Sequence, residues 1–176
     1  DEVLTAPFRI YIDPSNPSHQ ISIPKGRYSF NERSISLTTG GQRKFAGGLT
    51  YQAGDSYNGE RVQISSNVNW KPTKHFILRL AYKFNKIELP QGNFETRLTS
   101  LTTEIPFSTN LSWFNLVQYD NISETIGINS RLHWVKRDGQ EIFLVLNHNR
   151  KDLDRNNQFN STMADLSLKL NYTLRF

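Results

Sequence analysis

The chain has 176 residues, no cysteine and a net charge of +5, with 36% hydrophobic and 12% aromatic residues and a mean hydropathy of −0.57. That length suffices for one domain with a full core, the lack of cysteine excludes disulfides, thiolate catalysis and cysteine-based zinc sites, and no apolar run approaches the ~18 residues of a membrane helix. A spanning β-barrel escapes both the hydropathy and the helix test, because only every second residue of its strands faces lipid. The cations are scattered along the whole length, which argues against a nucleic-acid partner.

The first 27 residues place Pro7, Pro14, Pro17 and Pro24 among serines and asparagines, and read as an irregular Pro-rich segment or extracellular loop with one short strand at Phe8 to Ile12. The chain opens on Asp1 with no charged-then-apolar leader before it, as expected of a mature protein after cleavage or of a piece of a longer one. From residue 28 the pattern changes. Nine extended segments are predicted, at 28–38, 43–54, 60–71, 75–87, 93–105, 110–120, 124–136, 140–149 and 162–176, and none shows the period of an amphipathic helix. Val62, Ile64, Val68 and Trp70 oppose Gln63, Ser65, Asn67 and Asn69; Phe76, Leu78, Leu80, Tyr82 and Phe84 oppose Arg79, Ala81, Lys83 and Asn85, with Ile77 the exception. Ile126, Ile128, Leu132 and Trp134 oppose Asn129, Arg131 and His133 in the same way. The phase lapses at Ile142 to Leu146, which is apolar throughout, so a bulge or a locally packed interior is expected there.

The final eleven residues alternate without error: Leu166, Leu168, Leu170, Tyr172, Leu174 and Phe176 on one face, Ser167, Lys169, Asn171, Thr173 and Arg175 on the other. Such a pattern fits a half-buried soluble strand as well as a lipid-facing one, so length and connections must decide. Eleven residues tilted by about 40° rise about 28 Å, close to the ~25 Å apolar band of outer-membrane barrels, whereas soluble strands average about five or six residues. The turns also divide into a short set (Thr39 to Gln42, Lys71 to Lys74, Pro106 to Asn110, Lys136 to Gln140) and a mostly longer, polar set (Gly54 to Gly59, Lys86 to Asn93, Asp120 to Glu124, Asn149 to Ser161). Short turns at one rim and long loops at the other are expected of an outer-membrane barrel.

A terminal aromatic preceded by apolar residues at every second place (Leu168, Leu170, Tyr172, Leu174, Phe176) resembles the assembly signal of bacterial outer-membrane proteins. That resemblance implies that the last strand is read by the barrel-assembly machinery. Ile23 to Tyr28, Leu89 to Phe94, Leu116 to Asp120, Asn129 to Trp134 and Ile142 to Asn147 are similar to the C-terminal β-barrel of a Bacteroidota-type outer-membrane protein family of unknown function. Members often carry an N-terminal family-nine-like carbohydrate-binding domain. The resemblance implies location and fold rather than chemistry: an outer-membrane chain, the C-terminal nine or ten strands of a larger barrel, with outer-membrane lipid and other outer-membrane proteins as partners.

Candidate chemistry is sparse. His19, His75, His133 and His148 lie too far apart in sequence for a local metal site, and neither a metal nor a cofactor is expected. Glu95 and Glu104 are a candidate carboxylate pair for glycoside chemistry, weighed against simple solvation at a rim or in a lumen. Asn149 to Asn160 is rich in acids and amides but lacks the Gly and terminal Glu of a calcium loop, and no nucleophile elbow, phosphate loop or zincin motif occurs, so catalysis is not expected. Arg79, Lys83, Arg131, Lys169 and Arg175 fall on the polar side of their strands and are predicted to line a lumen, either selecting anionic or hydroxyl-rich solutes or pairing with Asp165, Glu95 or Glu32 in a plugged interior. Trp70, Trp113 and Trp134 near strand ends are predicted to sit at a membrane interface. The expectation is therefore an antiparallel up-and-down transmembrane β-barrel over 28–176, serving solute passage or anchoring a carbohydrate-binding domain. The rival is a soluble all-β carbohydrate-binding module whose apolar faces form a core.

Overall fold

Alternation with period two becomes strand along almost the whole chain. The computed structural model describes residues 1–13, 16 and 18–173, all-β and antiparallel, with no helix among them. Nine long strands form one meander in which each pairs only with its neighbours in sequence: β5 (Glu32–Thr38), β6 (Phe45–Ser56), β7 (Gly59–Thr73), β8 (Phe76–Leu89), β9 (Gly92–Pro106), β10 (Leu111–Asp120), β11 (Thr125–Arg137), β12 (Gln140–Lys151) and β13 (Asn160–Tyr172). These are the nine predicted segments, except that the first begins at Glu32 instead of residue 28. Leu174, Arg175 and Phe176, the end of the expected assembly signal and the last expected lumen cation, lie outside the described residues.

The expected division into short and long connections is not found. One rim carries turns at 39–44, 74–75, 107–110 and 138–139, the other at 57–58, 90–91, 121–124 and 152–159, so both rims mix tight and longer turns. Gly54 to Gly59 and Lys86 to Asn93 look like loops because they are polar, yet Asp55 pairs with Glu60 and Glu88 with Asn93, extending the hairpins. Backbone pairing is indifferent to side-chain polarity beyond the apolar zone. Two glycines fix this geometry. A Cβ at Gly59 would strike the backbone carbonyl of Glu88 on the adjacent strand, and Gly139, with φ +76°, supplies the left-handed residue of the Asp138-Gly139 hairpin turn.

β5 and β13 do not pair, so the sheet remains open and both are edges. There is a topological reason. In a nine-strand antiparallel meander the first and last strands run in the same direction, and joining them would make a parallel seam.

The first 28 residues hold more structure than the single strand expected. β2 (Phe8–Ile12) pairs with β3 (Gln20–Ile23), while β1 (Glu2–Leu4) pairs with β4 (Gly26–Tyr28). Ile21 and Ile23 are completely buried against Leu89 and Phe94, with Tyr28, Leu4, Ile10, Tyr11, Tyr57 and Ile87 around them. Tyr11 stacks on Phe94 at 4.5 Å between centroids, and the Tyr28 hydroxyl donates to the Pro24 carbonyl at 2.7 Å. This is the main hydrophobic core among the described residues, and it lies at the rim carrying the 57–58 and 90–91 turns. Burying each isoleucine contributes about 1.5–3 kcal/mol, enough to hold a segment whose own strands are only three to five residues long.

Candidate functional site

Cross-strand partners share a face of a sheet, so the register sorts every side chain of the meander. Phe45 in β6 connects through successive partners Trp70, Leu78, Thr103, Asn115, Ser130 and Leu146 to Leu166 in β13. All lie on one face, and alternate residues along each strand extend it: Ile64 and Val68, Leu80 and Phe84, Val117, Ile128, Leu132, Leu144, Leu168 and Leu170. In six strands the apolar stretch occupies nine residues, 45–53, 62–70, 76–84, 111–119, 126–134 and 164–172, and no Asp, Glu, Lys or Arg interrupts this face within it. The charges on this face, Arg33, Asp55, Glu60, Lys86, Glu88, Glu95, Arg97 and Arg150, cluster beyond the stretch at one rim.

The stretch is also slanted. From the row through Phe45 and Leu166 it shifts six residues along the strands by the time it reaches Tyr172, across seven strand spacings. With about 3.4 Å per residue and about 4.8 Å between strands this is a slope of about 30°. Nine residues then rise about 24 Å across the slanted band. Phe45, Trp70, Phe76, Trp113, Trp134 and Tyr172 lie along the margin nearer the C-terminus, with Trp70 and Phe76 edge-to-face at 5.8 Å. The three expected interfacial tryptophans thus share one face and one margin. Among the described residues nothing packs on this face: Leu80 is 40% exposed, Leu168 65% and Leu170 65%.

The opposite face is polar. Arg79, Lys83, Arg131 and Lys169 all lie on it, as the alternation predicts. Their partners differ from those expected. Arg79 donates to Glu104 at 2.5 Å, Arg131 sits over the Phe114 ring at 5.4 Å, and Lys83 and Lys169 make no ion pair among the described residues. Glu32 holds Arg61 at 2.8 Å and accepts from Gln52, which in turn accepts from Gln63 at 2.6 Å, forming a hydrogen-bonded row across three strands. Asn85 to Thr96 and Asn129 to Asn147 continue the polar lining. The lapse at Ile142 to Leu146 is a locally packed patch without a bulge: register is continuous there, and Phe143 stacks on His133 at 4.2 Å on this face.

The proposed carboxylate pair does not form. Glu104 faces the polar side beside Arg79, whereas Glu95 faces the apolar side at the rim and binds Arg97 at 2.6 Å. An odd separation of nine residues on one strand puts them on opposite faces. The histidines stay apart: His75 contacts the Pro106 carbonyl at 2.7 Å, His148 the Ser161 hydroxyl at 3.0 Å, His133 lies 3.7 Å from Glu141 and His19 3.6 Å from Asp13. No group of three metal-ligating side chains occurs among the described residues. The Asn149 to Asn160 loop is organised by Asp152, buried and accepting from the backbone N–H groups of Asn156 at 3.2 Å and Asn157 at 2.7 Å.

The N-terminal segment docks on the polar face, since Ile87 and Phe94 pair with each other one residue out of phase with Lys86 and Glu95 of the apolar face. Sequence reasoning missed this dock. The Ile21-Ser22-Ile23 alternation was a signal for it, while Leu89, beside Pro90, reads as loop and Phe94 as an ordinary residue at the start of a strand. Burial, and then the nearby Glu2 carboxylate, raises the Tyr57 phenol above its ordinary range; burial also raises Tyr11.

No protein-family model matches the chain, and no curated protein or solved structure is significantly similar to it.

Proposed function

We propose that the chain is the C-terminal wall of an outer-membrane β-barrel, serving solute passage or anchoring a carbohydrate-binding domain. The observation that carries this reading is the uncovered apolar band, about 24 Å high, nearly matching the ~25 Å hydrocarbon-facing band of such barrels and slanted close to their strand tilt. A soluble carbohydrate-binding module needs a second layer over Leu80, Leu168 and Leu170, and a contiguous apolar surface of this size in water would drive association. The polar face then lines the lumen, the C-terminal strand is the substrate of the barrel-assembly machinery, and the rim bearing the N-terminal dock faces outward. Because β5 and β13 run the same way, an all-antiparallel closed barrel takes an odd number of further strands between them.

Flotation tests this. The chain refolded with phosphatidylcholine vesicles is expected to rise with them through a sucrose gradient and resist carbonate extraction. A chain that remains monodisperse in plain buffer and stays at the bottom of the gradient would overturn the membrane reading. Passage and anchoring are separated by planar-bilayer conductance of the assembled barrel: with Lys83, Arg131 and Lys169 lining the lumen, anions should carry more current than cations, and the lysine-to-glutamate double variant at 83 and 169 should reverse or abolish that preference. Absence of any conductance would favour the anchor.

A further inference from the structure

The apolar band contains a hydrogen-bonded polar island. On β9, β10 and β11, Thr103, Asn115 and Ser130 are consecutive cross-strand partners on the apolar face, half-buried, in a band whose other side chains are mostly Leu, Ile, Val and aromatic, with Ser66 a separate hydroxyl on β7. The Ser130 hydroxyl donates to the Asn115 carbonyl oxygen at 2.7 Å, the Asn115 amide donates to the Thr103 hydroxyl at 3.1 Å, and the Trp113 indole N–H donates to Ser130 at 2.8 Å. Thr99 adds a further hydroxyl on the same face of β9. The depth is telling. Asn115 is the middle residue of the 111–119 stretch and Ser130 of the 126–134 stretch, so the island lies at mid-height of the band, where a polar group has no water to bond.

Three internal bonds leave capacity unused. Asn115 has two amide hydrogens and spends one, and the Thr103 hydroxyl accepts but has no acceptor for its own hydrogen among the described residues. The island therefore presents donors and acceptors together, which makes it complementary to itself. A second copy of the chain, inserted in the same orientation and to the same depth, brings an identical island to the same height by symmetry; a two-fold axis along the membrane normal sets Asn115 against its counterpart. We propose that β9–β11 form a homodimer contact within the bilayer, centred on Asn115 with Thr103 and Ser130 beside it. This rests on the apolar face lying in hydrocarbon.

The chain has no cysteine, so Asn115→Cys introduces a unique thiol. In phosphatidylcholine vesicles, copper-phenanthroline oxidation of floated Asn115→Cys protein is expected to give a disulfide-linked dimer, while Leu80→Cys, on the same face of β8, gives at least five-fold less. Asn115→Leu, which keeps the branched skeleton and removes the donors, is expected to float as fully as the parent chain but to shift it from dimer to monomer in detergent sedimentation. Floated protein that is monomeric and does not cross-link at position 115 overturns the dimer and leaves the membrane reading standing. Cross-linking at 115 to a different polypeptide overturns the choice of a second copy. Failure to float overturns both.

Discussion

Replacing Leu80 by arginine is expected to cost about 2–4 kcal/mol in the membrane-inserted state, the penalty for a cation at the bilayer midplane of a barrel. Leu80 is the middle residue of the 76–84 stretch and half-exposed on the apolar face. The matched control is one residue away. Ala81 faces the polar side between Asn67 and Ser100, and Ala81→Arg should change stability by less than ~1 kcal/mol because the guanidinium remains in water. Urea unfolding in vesicles reads both, and the predicted gap is about one to three orders of magnitude in the folding equilibrium. Equal tolerance of both substitutions would mean that neither side touches hydrocarbon.

The second large effect concerns the N-terminal dock. Ile21→Ala removes a fully buried side chain packed between Leu89, Phe94 and the Gly92 turn, and a loss of about 2–5 kcal/mol is expected for such a cavity. That exceeds what the three-to-five-residue strands can supply, so the outcome should be release of the segment, with limited proteolysis cutting within residues 1–28 while β5–β13 stay protected. Alkali should loosen the same contact in the parent chain. Tyr57 and Tyr11 have folded pKa values raised chiefly by burial. Their contribution is complete below the unfolded value of about 10 and is lost as the pH climbs through the raised folded value. Protease sensitivity at residues 1–28 that is the same at pH 8 and pH 11 would show that these phenols are not held by the dock.

Much of this architecture is legible in the amino-acid sequence because a strand's two faces are written in alternate letters. Leu166 to Tyr172 and Phe76 to Phe84 declare their apolar side directly, and the register puts both on the same face. Parity alone separates Glu95 from Glu104, and places Asn115 in phase with Trp113 and Val117, so both findings were readable by counting. What could not be read is whatever depends on distant partners. Pro90 and the acids around it suggest a loop, but Leu89 and Phe94 become buried only because Ile21 and Ile23 arrive from some seventy residues earlier. Closure is of the same kind: the strand count fixes the relative direction of β5 and β13, whereas what lies beside them does not follow from their own residues.

The meander has a consequence for how the protein is made. Since every strand of the large sheet bonds only to the segment just before or after it in the chain, each closes a short loop, and little chain entropy is spent before contacts form. Growth can then proceed by adding one strand at a time to either side of a first hairpin, and the two outermost strands join last when that hairpin is central. If the sheet closes as proposed, the slow event in biogenesis is the search that seals the final seam.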